Sequence, residues 1–496
     1  MLVGIPENAL VLLIGPRGVG KSRFAVRHFD PGQVVSLPQI RKLVCDQPDL
    51  LEATNDAAEL QALLVEMRLA WGRFTVIDST NLRYRNRQNL LNLARKFHFP
   101  VVAIVFDLPE SARIHGEKLA VNPSFIPGIP DSLTVEPLED QLAALKEALP
   151  RLGQEGFHRV YLFSTPEERD HAEIQIQKLP FNRKDHPGPF DLIGDVHGCC
   201  NELESLLSLL GYRRENIDTN PGFTWRHPDG RTAVFVGDVL DRGPRILDTY
   251  RLVHSMIVAK TGLAVQGNHE LKVYRHFKSA KPEPRPSILQ TLREIEQEDP
   301  PTQKETIRGL MEFIEGLPHH LVLDGGRLVA AHAGLREDLQ GRDSALVRNQ
   351  ALFGDANARF DEETEATRME WVHQYRGRAL VVYGHTPVAE SAILNRTINI
   401  DTGCVFGGRL TALRYPEMDT RFVEAQKAYA IQRRSGAEGL FQDRLGKKAN
   451  LPSHGDLPQS TLGPPHKPDP NSHEISLHGS APSRPDREIS AESEQE

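Results

Sequence analysis

Five short clusters in the second half of the chain carry side chains that can hold metal and act on phosphate. Asp195 and His197 lie in GDVHG, and Asp238, Asp241 and Arg242 lie in GDVLDRG. Asn268 and His269 lie in GNHE, His332 in AHAG and His385 in GHT. Carboxylate, imidazole and amide donors in one set suit Mn2+, Fe or Zn2+ rather than Ca2+, and Mn2+ is the expected ion. Two such ions, about 3.5–4 Å apart, would clamp the attacking and leaving oxygens of a phosphoryl displacement. One carboxylate must bridge them, and Asp238 is the candidate. Arg242 offers a planar fork for phosphoryl oxygens. His269, oriented by Asp241, is a candidate general acid toward the leaving group. A lone Gly-Asp or His is usually structural; five clusters at the ends of strand-like runs are not explained by packing.

A second chemistry lies near the start. The string GPRGVGKS runs from Gly15 through Gly18 and Gly20 to Lys21 and Ser22, between the apolar run ALVLLIG and the helix-like SRFAVRHF. In that setting it reads as a phosphate loop for ATP or GTP with Mg2+. Backbone N–H groups of the loop and the helix start would cradle the β-phosphate. Lys21 would reach the β- and γ-phosphates, and Ser22 would hold the Mg2+. Asp78, near the end of VIDST, is either a second carboxylate near that ion or a strand-end residue capping STNLRYR. Arg83, Arg85 and Arg87 are either phosphate contacts or a solvated helical face, the commoner use of such charges.

Both sets of residues need elements to position them. Up to about Leu179, apolar runs (ALVLLIG, FTVIDST, VVAIVFD, RVYLFST) alternate with helical stretches such as NLLNLARKF and LEDQLAALKEAL, which predicts a parallel α/β sheet over residues 1–179. The opening MLVGIPENALVLLIG lacks a basic start and a small-residue cleavage site, and reads as one buried strand rather than a signal peptide. Residues 180–189, rich in Pro, Gly and charge, read as a linker. From Phe190 to Arg433 strand-like runs again end in the polar, Gly-flanked clusters, which brings those clusters to one edge of a sheet core. Residues 434–496 are rich in Pro, Ser, Gly and charge, cannot bury enough to offset chain entropy, and are expected to be disordered.

Composition bounds the partners. The chain has 496 residues, enough for two or three domains, and a net charge of -8, which argues against a sequence-blind DNA coat. Its four cysteines form no C-x-x-C pair, which fits a reducing cytoplasm. No apolar run approaches the roughly 18 residues of a membrane span.

The ordered set D-x-H, G-D-x-x-D-R-G, G-N-H-E, H-A-G and G-H-T resembles the calcineurin-type metallophosphoesterases, over Phe190 to about Arg414. The resemblance implies a four-layer αββα sandwich. It implies one metal held by Asp195, His197 and Asp238, and another by Asp238, Asn268, His332 and His385. The pairing with a phosphate-loop domain is similar to the bacterial polynucleotide kinase-phosphatases of RNA repair, as are the strings YRGRALVVYGHTPV, INIDTGCVFGGRLTALRYPE and ATNDAAELQALLVEMRLAWGRFTVIDSTN. That likeness implies action on RNA 3′-phosphate or 2′,3′-cyclic phosphate ends, with RNA ends, a nucleotide and an RNA-repair protein as partners.

Three departures mark the first domain. The family follows its second strand with S-S-D-x-x-R, the Asp acting as general base toward a 5′-OH. Here Ser36 and Arg41 remain, and Pro38 stands where the acid would be. Asp30 lies at the wrong end of that strand, and Asp46 about two helical turns beyond Pro38. Ser36 followed by Gln39 is a capping-box pattern, and Pro is tolerated in a first helical turn. The lid string SARIHGEKLAVNPSFIPGIPDS has Arg113 and Lys118 but no arginine-rich clamp, and the residues after Arg433 are not expected to form the ligase-like domain of the long family members. General-base help is worth roughly 10²–10⁴-fold, so efficient 5′-kinase activity is not expected, while nucleotide binding is. The expected function is therefore an RNA-end phosphoesterase fused to an ATP-binding kinase-like domain. The alternative is a dinucleoside polyphosphate hydrolase or Ser/Thr protein phosphatase, gated by nucleotide in the first domain.

Overall fold

The computed structural model describes residues 1–46, 53–109, 137–218, 222–280, 285–354 and 370–431. The lid string with Arg113 and Lys118, and the tail 434–496, lie outside them.

Leu10–Ile14 and Val101–Phe106 are runs with no polar residue, the pattern of strands covered on both faces. They form the middle of an all-parallel five-stranded sheet, ordered Val34–Ser36, Thr75–Asp78, Leu10–Ile14, Val101–Phe106, Arg159–Phe163. Alternate side chains enter opposite cores: Leu10, Leu12 and Ile14 pack with Leu91 and Leu145, while Val11 and Leu13 pack with Phe24 and Phe163. The helices Tyr84–Lys96 and Leu138–Ala148 stand where their apolar spacing placed them. The opening run is two strands rather than one. Leu2–Pro6 pairs in parallel with Glu173–Gln177 as a separate two-stranded sheet, and the chain turns at Glu7 and Asn8 before Leu10. Pro6 closes the first strand, and its carbonyl accepts the Ala9 N–H to make the turn.

Beyond this, two sheets face each other. One orders Gly262–Ala264, Thr232–Phe235, Phe190–Ile193, Arg409–Tyr415 and Asp419–Glu424; the first three strands run parallel. The other orders Ile393–Leu394, Thr397–Asn399, Leu380–Tyr383, Leu328–Ala331, His320–Leu323 and Asn182–Arg183. Phe190, Leu192 and Val234 of the first meet Leu321, Leu328 and Val382 of the second in one buried layer. The helices Cys200–Leu210 and Ile246–Val258 cover the outer face of the first sheet, and Trp371 and Tyr375 pack on the outside of the second. This is the helix–sheet–sheet–helix arrangement expected for residues 190–433.

The expected linker differs from its reading. Asn182–Arg183 is a strand paired in parallel with Val322 and Leu323, at the edge of the second sheet. Its flanking backbone is engaged too: Phe181, Lys184 and His186 carbonyls accept from Val322, Gly325 and Asp324 N–H groups. Two residues give no readable alternation, so the Pro, Gly and charge around them dominated the sequence pattern. Among the described residues, no helix is long and apolar enough to cross a membrane.

Candidate metal centre and phosphate loop

The five clusters leave neighbouring strands at one edge. Asp195 and His197 follow Phe190–Ile193, Asp238 to Arg242 follow Thr232–Phe235, and Asn268 and His269 open the helix Asn268–Lys278 after Gly262–Ala264. These three strands are parallel neighbours, so their exits meet. His332 and His385 follow Leu328–Ala331 and Leu380–Tyr383, a parallel pair in the facing sheet.

Asp238 stands at the centre. His197 Nε2 lies 3.4 Å from its Oδ2 and His332 Nε2 lies 3.4 Å from its Oδ1, so each carboxylate oxygen faces one ring. The rings are held from behind: His197 Nδ1 donates to the Leu240 carbonyl at 2.9 Å and His332 Nδ1 to the Val236 carbonyl at 3.2 Å. That leaves both Nε2 lone pairs aimed inward, the orientation a metal ligand needs. Burial lowers His197 to about 3 and lowers His332 as well, which keeps both rings neutral. His385 Nδ1 is 3.0 Å from His332 Nε2 and 3.2 Å from Asn268 Nδ2. Asn268 turns Oδ1 toward Lys272, so ligation through that oxygen requires the amide to turn over, an exchange of two atoms of similar size. Asp195 Oδ2 accepts the His385 N–H at 3.1 Å, and its buried Oδ1 has no hydrogen-bond partner among the described residues. Burial, with the nearby Asp401 and Asp238 carboxylates, pushes Asp195 well above the ordinary carboxylate range. An orphaned buried carboxylate oxygen, crowded acids and inward-facing neutral imidazoles fit divalent cations. The donor atoms of Asp238, His332 and His385 lie within 4.8 Å of one another, as do those of His197, Asp238 and His269.

The backbone is forced into this shape. His197, Asp238, Asp241, Arg242 and His385 all have positive φ, between 47° and 72°. Such conformations cost about 1–3 kcal/mol each and persist where the surroundings over-determine them. Glu270 is the chief determinant. Its buried carboxylate accepts from the N–H groups of Asp238, Val239, Leu240 and Gly267 at 3.0, 2.9, 3.0 and 2.8 Å. Burial pushes Glu270 up to about 8, and those donors work against that shift. Close approach also requires glycine at Gly384, where an added Cβ would sit 2.1 Å from Asp195 Oδ1.

At the mouth, His269 Nδ1 donates to Asp241 Oδ2 at 2.7 Å, and the Thr291 hydroxyl donates to the other Asp241 oxygen. Burial raises Asp241 to about 7. His269 Nε2 faces two cations, Arg242 at 3.1 Å and Lys272 at 3.0 Å. Neither can accept a hydrogen bond, so Nε2 accepts. An imidazole committed in this way has no lone pair left for a metal. Arg242 also lies over the Phe406 ring, 5.2 Å from its centre.

Four residues joined the site without being singled out in the sequence. Glu270 and Lys272 follow His269 at one- and three-residue spacing on a single helix, and that helical register was the available signal. Asp401 lies in INIDTG, just past the strand Thr397–Asn399, a Gly-flanked exit like the others; it is buried beside Asp195, and burial raises it to about 7. Thr291, 50 residues from Asp241, carried no signal.

The phosphate loop has positive φ at Gly15, Gly18 and Gly20, and Gly20 caps the helix Lys21–His28. The Lys21 ammonium donates to the Gly15 and Pro16 carbonyls at 2.8 and 2.7 Å; burial lowers it to about 8 against the pull of Asp78. Ser22 is exposed. Asp78 accepts from the Ser36 hydroxyl at 3.0 Å and does not cap the next helix, whose cap position is Arg83. The Ser36 capping box is therefore not formed, because the hydroxyl is directed to Asp78; Pro38 does occupy the first turn of Leu37–Cys45. Asp30 precedes the strand and Asp46 ends the helix, so neither stands at Pro38. Arg87 serves neither expected use. It is 1% exposed, gripped by both Glu155 oxygens at 2.5 and 2.7 Å, while Arg83 and Arg85 are exposed.

Residues 188–423 match the family described as calcineurin-like phosphoesterase, and residues 10–118 match the family described as AAA domain. The chain is similar to the protein named bis(5′-nucleosyl)-tetraphosphatase PrpE [asymmetrical] of Anoxybacillus flavithermus, at 42% identity over 244 residues, covering 49% of this chain and 97% of that one. It is similar to the protein of the same name from a Geobacillus species, at 41% identity, covering 49% and 97%. A third, from Geobacillus thermodenitrificans, is 42% identical, covering 46% and 91%.

Proposed function

Because the chain belongs to the calcineurin-like phosphoesterase family, we propose that it is a metal-dependent hydrolase of dinucleoside polyphosphates. The likeness to bis(5′-nucleosyl)-tetraphosphatases over nearly their whole length carries this reading. It supports the polyphosphate alternative over RNA 3′ ends. Divalent ions, when bound, supply Lewis acidity for water and for the phosphoryl group. Asp195, His197 and Asp238 would hold one, and Asp238, Asn268, His332 and His385 the other. Arg242 sets its fork against the phosphoryl oxygens, with Phe406 fixing the plane. His269, kept in place by Asp241, would serve the leaving oxygen only on taking up a proton at Nε2, which here accepts from Arg242 and Lys272.

The first domain is a nucleotide-binding module in this reading. The glycine loop and Ser22 would hold a nucleoside triphosphate with Mg2+, Lys21 would exchange its loop carbonyls for phosphate, and Pro38 supplies no base for transfer.

The test is an assay of the Mn2+-loaded protein against diadenosine tetraphosphate, 3′-phosphorylated RNA and a phosphopeptide. Fast cleavage of the tetraphosphate is expected, abolished by chelator and reduced at least ~10³-fold by Asp238→Ala. Turnover confined to the RNA end would restore the RNA-repair reading, and turnover confined to the peptide the protein-phosphatase one.

A further inference from the structure

We propose that Lys272 holds the leaving phosphate and thereby selects polyphosphate substrates over phosphate esters of alcohols. This rests on the polyphosphate reading above and adds to it the residue that recognises the departing half.

The helix Asn268–Lys278 places Asn268, His269 and Lys272 on one side, since residues three and four apart share a helical face. Lys272 Nζ lies 3.0 Å from His269 Nε2 and 3.5 Å from Asn268 Oδ1. It is half-buried, and among the described residues it forms no ion pair. The neighbouring carboxylates act on Lys272 only at a distance and are otherwise engaged: Asp238 between His197 and His332, Asp241 with His269 and Thr291, Glu270 with four backbone N–H groups. A half-buried ammonium whose neighbours are a neutral nitrogen and an amide oxygen is poorly compensated. The group that completes it is an anion. Arg242 reaches the same imidazole nitrogen from beside Phe406 and likewise has no carboxylate partner among the described residues.

The two cations differ in what they suit. Arg242 presents a rigid planar fork, matched to the oxygens of the phosphoryl group under attack. Lys272 presents a mobile point charge one helical turn from His269, matched to the phosphate beyond the scissile bond. In the reaction, a bond forms from the oxygen of water to phosphorus and the bridging P–O bond breaks. The electron pair stays on the bridging oxygen, which becomes a terminal oxygen of the departing nucleotide, and the proton from water passes to solvent. When the leaving group is a phosphate, that negative charge remains beside His269, within reach of Lys272. When it is an alcohol or phenol, no phosphate follows the bridging oxygen and Lys272 has little to hold.

Initial rates on diadenosine tetraphosphate and on p-nitrophenyl phosphate, with saturating Mn2+, separate the cases. Wild type, K272M, K272A and K272R are compared, with melting temperature as a check on fold. K272M and K272A are expected to lose ~10²-fold in kcat/KM on the tetraphosphate, the order seen for loss of one charge-stabilising donor, and less than ~5-fold on the aryl ester. K272R, which keeps the charge without the mobile point-charge geometry, should retain more of the tetraphosphate rate than K272M or K272A and less than wild type. Equal losses on both substrates, in variants that melt as wild type does, overturn the role of Lys272 and leave the polyphosphate reading standing. A wild type that turns over p-nitrophenyl phosphate but not the tetraphosphate overturns both.

Discussion

At the scale of single residues, Lys21 shows how a side chain can be intact in type and altered in state. The residue is 8% exposed, and its ammonium closes back on its own loop. Burial brings it from the ordinary 10.5 to about 8, so between those values the unfolded chain holds the proton more tightly than the folded one. Without nucleotide, stability should therefore rise with pH from about 8 to 10.5, and Lys21→Met should remove that rise. Denaturant unfolding at pH 7.5 and 10 should show wild type gaining up to ~3 kcal/mol relative to the variant; parallel curves would mean that the lysine carries no such penalty. Residues of this kind were legible because their motifs are local. Asp195, His197, Asp238, Asn268, His332 and His385 each sit within a few residues of a glycine that marks a strand exit. Glu270 was in plain view in GNHE, yet its partners Asp238 to Leu240 come from about thirty residues upstream, and no spacing rule announces a carboxylate that staples another loop.

At the scale of elements, helices were readable and their fastenings were not. The apolar spacing of Tyr84–Lys96 gave the helix, but charge patterning assigned Arg87 to phosphate or to water. It instead grips Glu155, 68 residues away, and donates to the Asn81 and Leu82 carbonyls just before its own helix. That fixes the helix to the turn after Leu152–Gln154. Removing one partner strands a buried charge, so Glu155→Ala should cost about 3–5 kcal/mol in denaturant unfolding of the first domain, while replacing both partners by apolar residues should cost much less. Equal costs would show that the pair contributes only packing. Ser36 is the same lesson in reverse: the local pattern S-x-x-Q was satisfied in sequence, and a longer-range acceptor, Asp78, took the hydroxyl.

At the scale of the whole molecule, the order of the two α/β parts was legible and their joint was not. Arg342, ten residues after His332, donates to the Leu69 and Ala70 carbonyls at 3.0 and 3.2 Å and lies 4.7 Å from the centre of the Phe99 ring. Those carbonyls belong to the last turn of the helix Thr54–Ala70, where that of Leu69 also accepts the Gly72 N–H. A guanidinium there adds a second donor to Leu69, supplies one to Ala70 and complements the helix dipole. Ser344 and His98 add a hydrogen bond at 3.0 Å. Arg342→Ala should therefore uncouple the parts: calorimetry is expected to resolve two melting transitions where wild type shows one. A single unshifted transition would mean that the joint transmits nothing. Partners 273 positions apart cannot be paired from one sequence.

The short strand Asn182–Arg183 has a consequence for taking the protein apart. It covers the outer side of His320–Leu323, and its neighbours occupy the N–H groups of Val322, Asp324 and Gly325. A fragment begun at Phe190 would keep the whole centre and lose this cover, leaving a bare strand border open to pairing with another molecule. The tether between the halves is thus also a seal, and the second half is better guarded against self-association with its tether than without it.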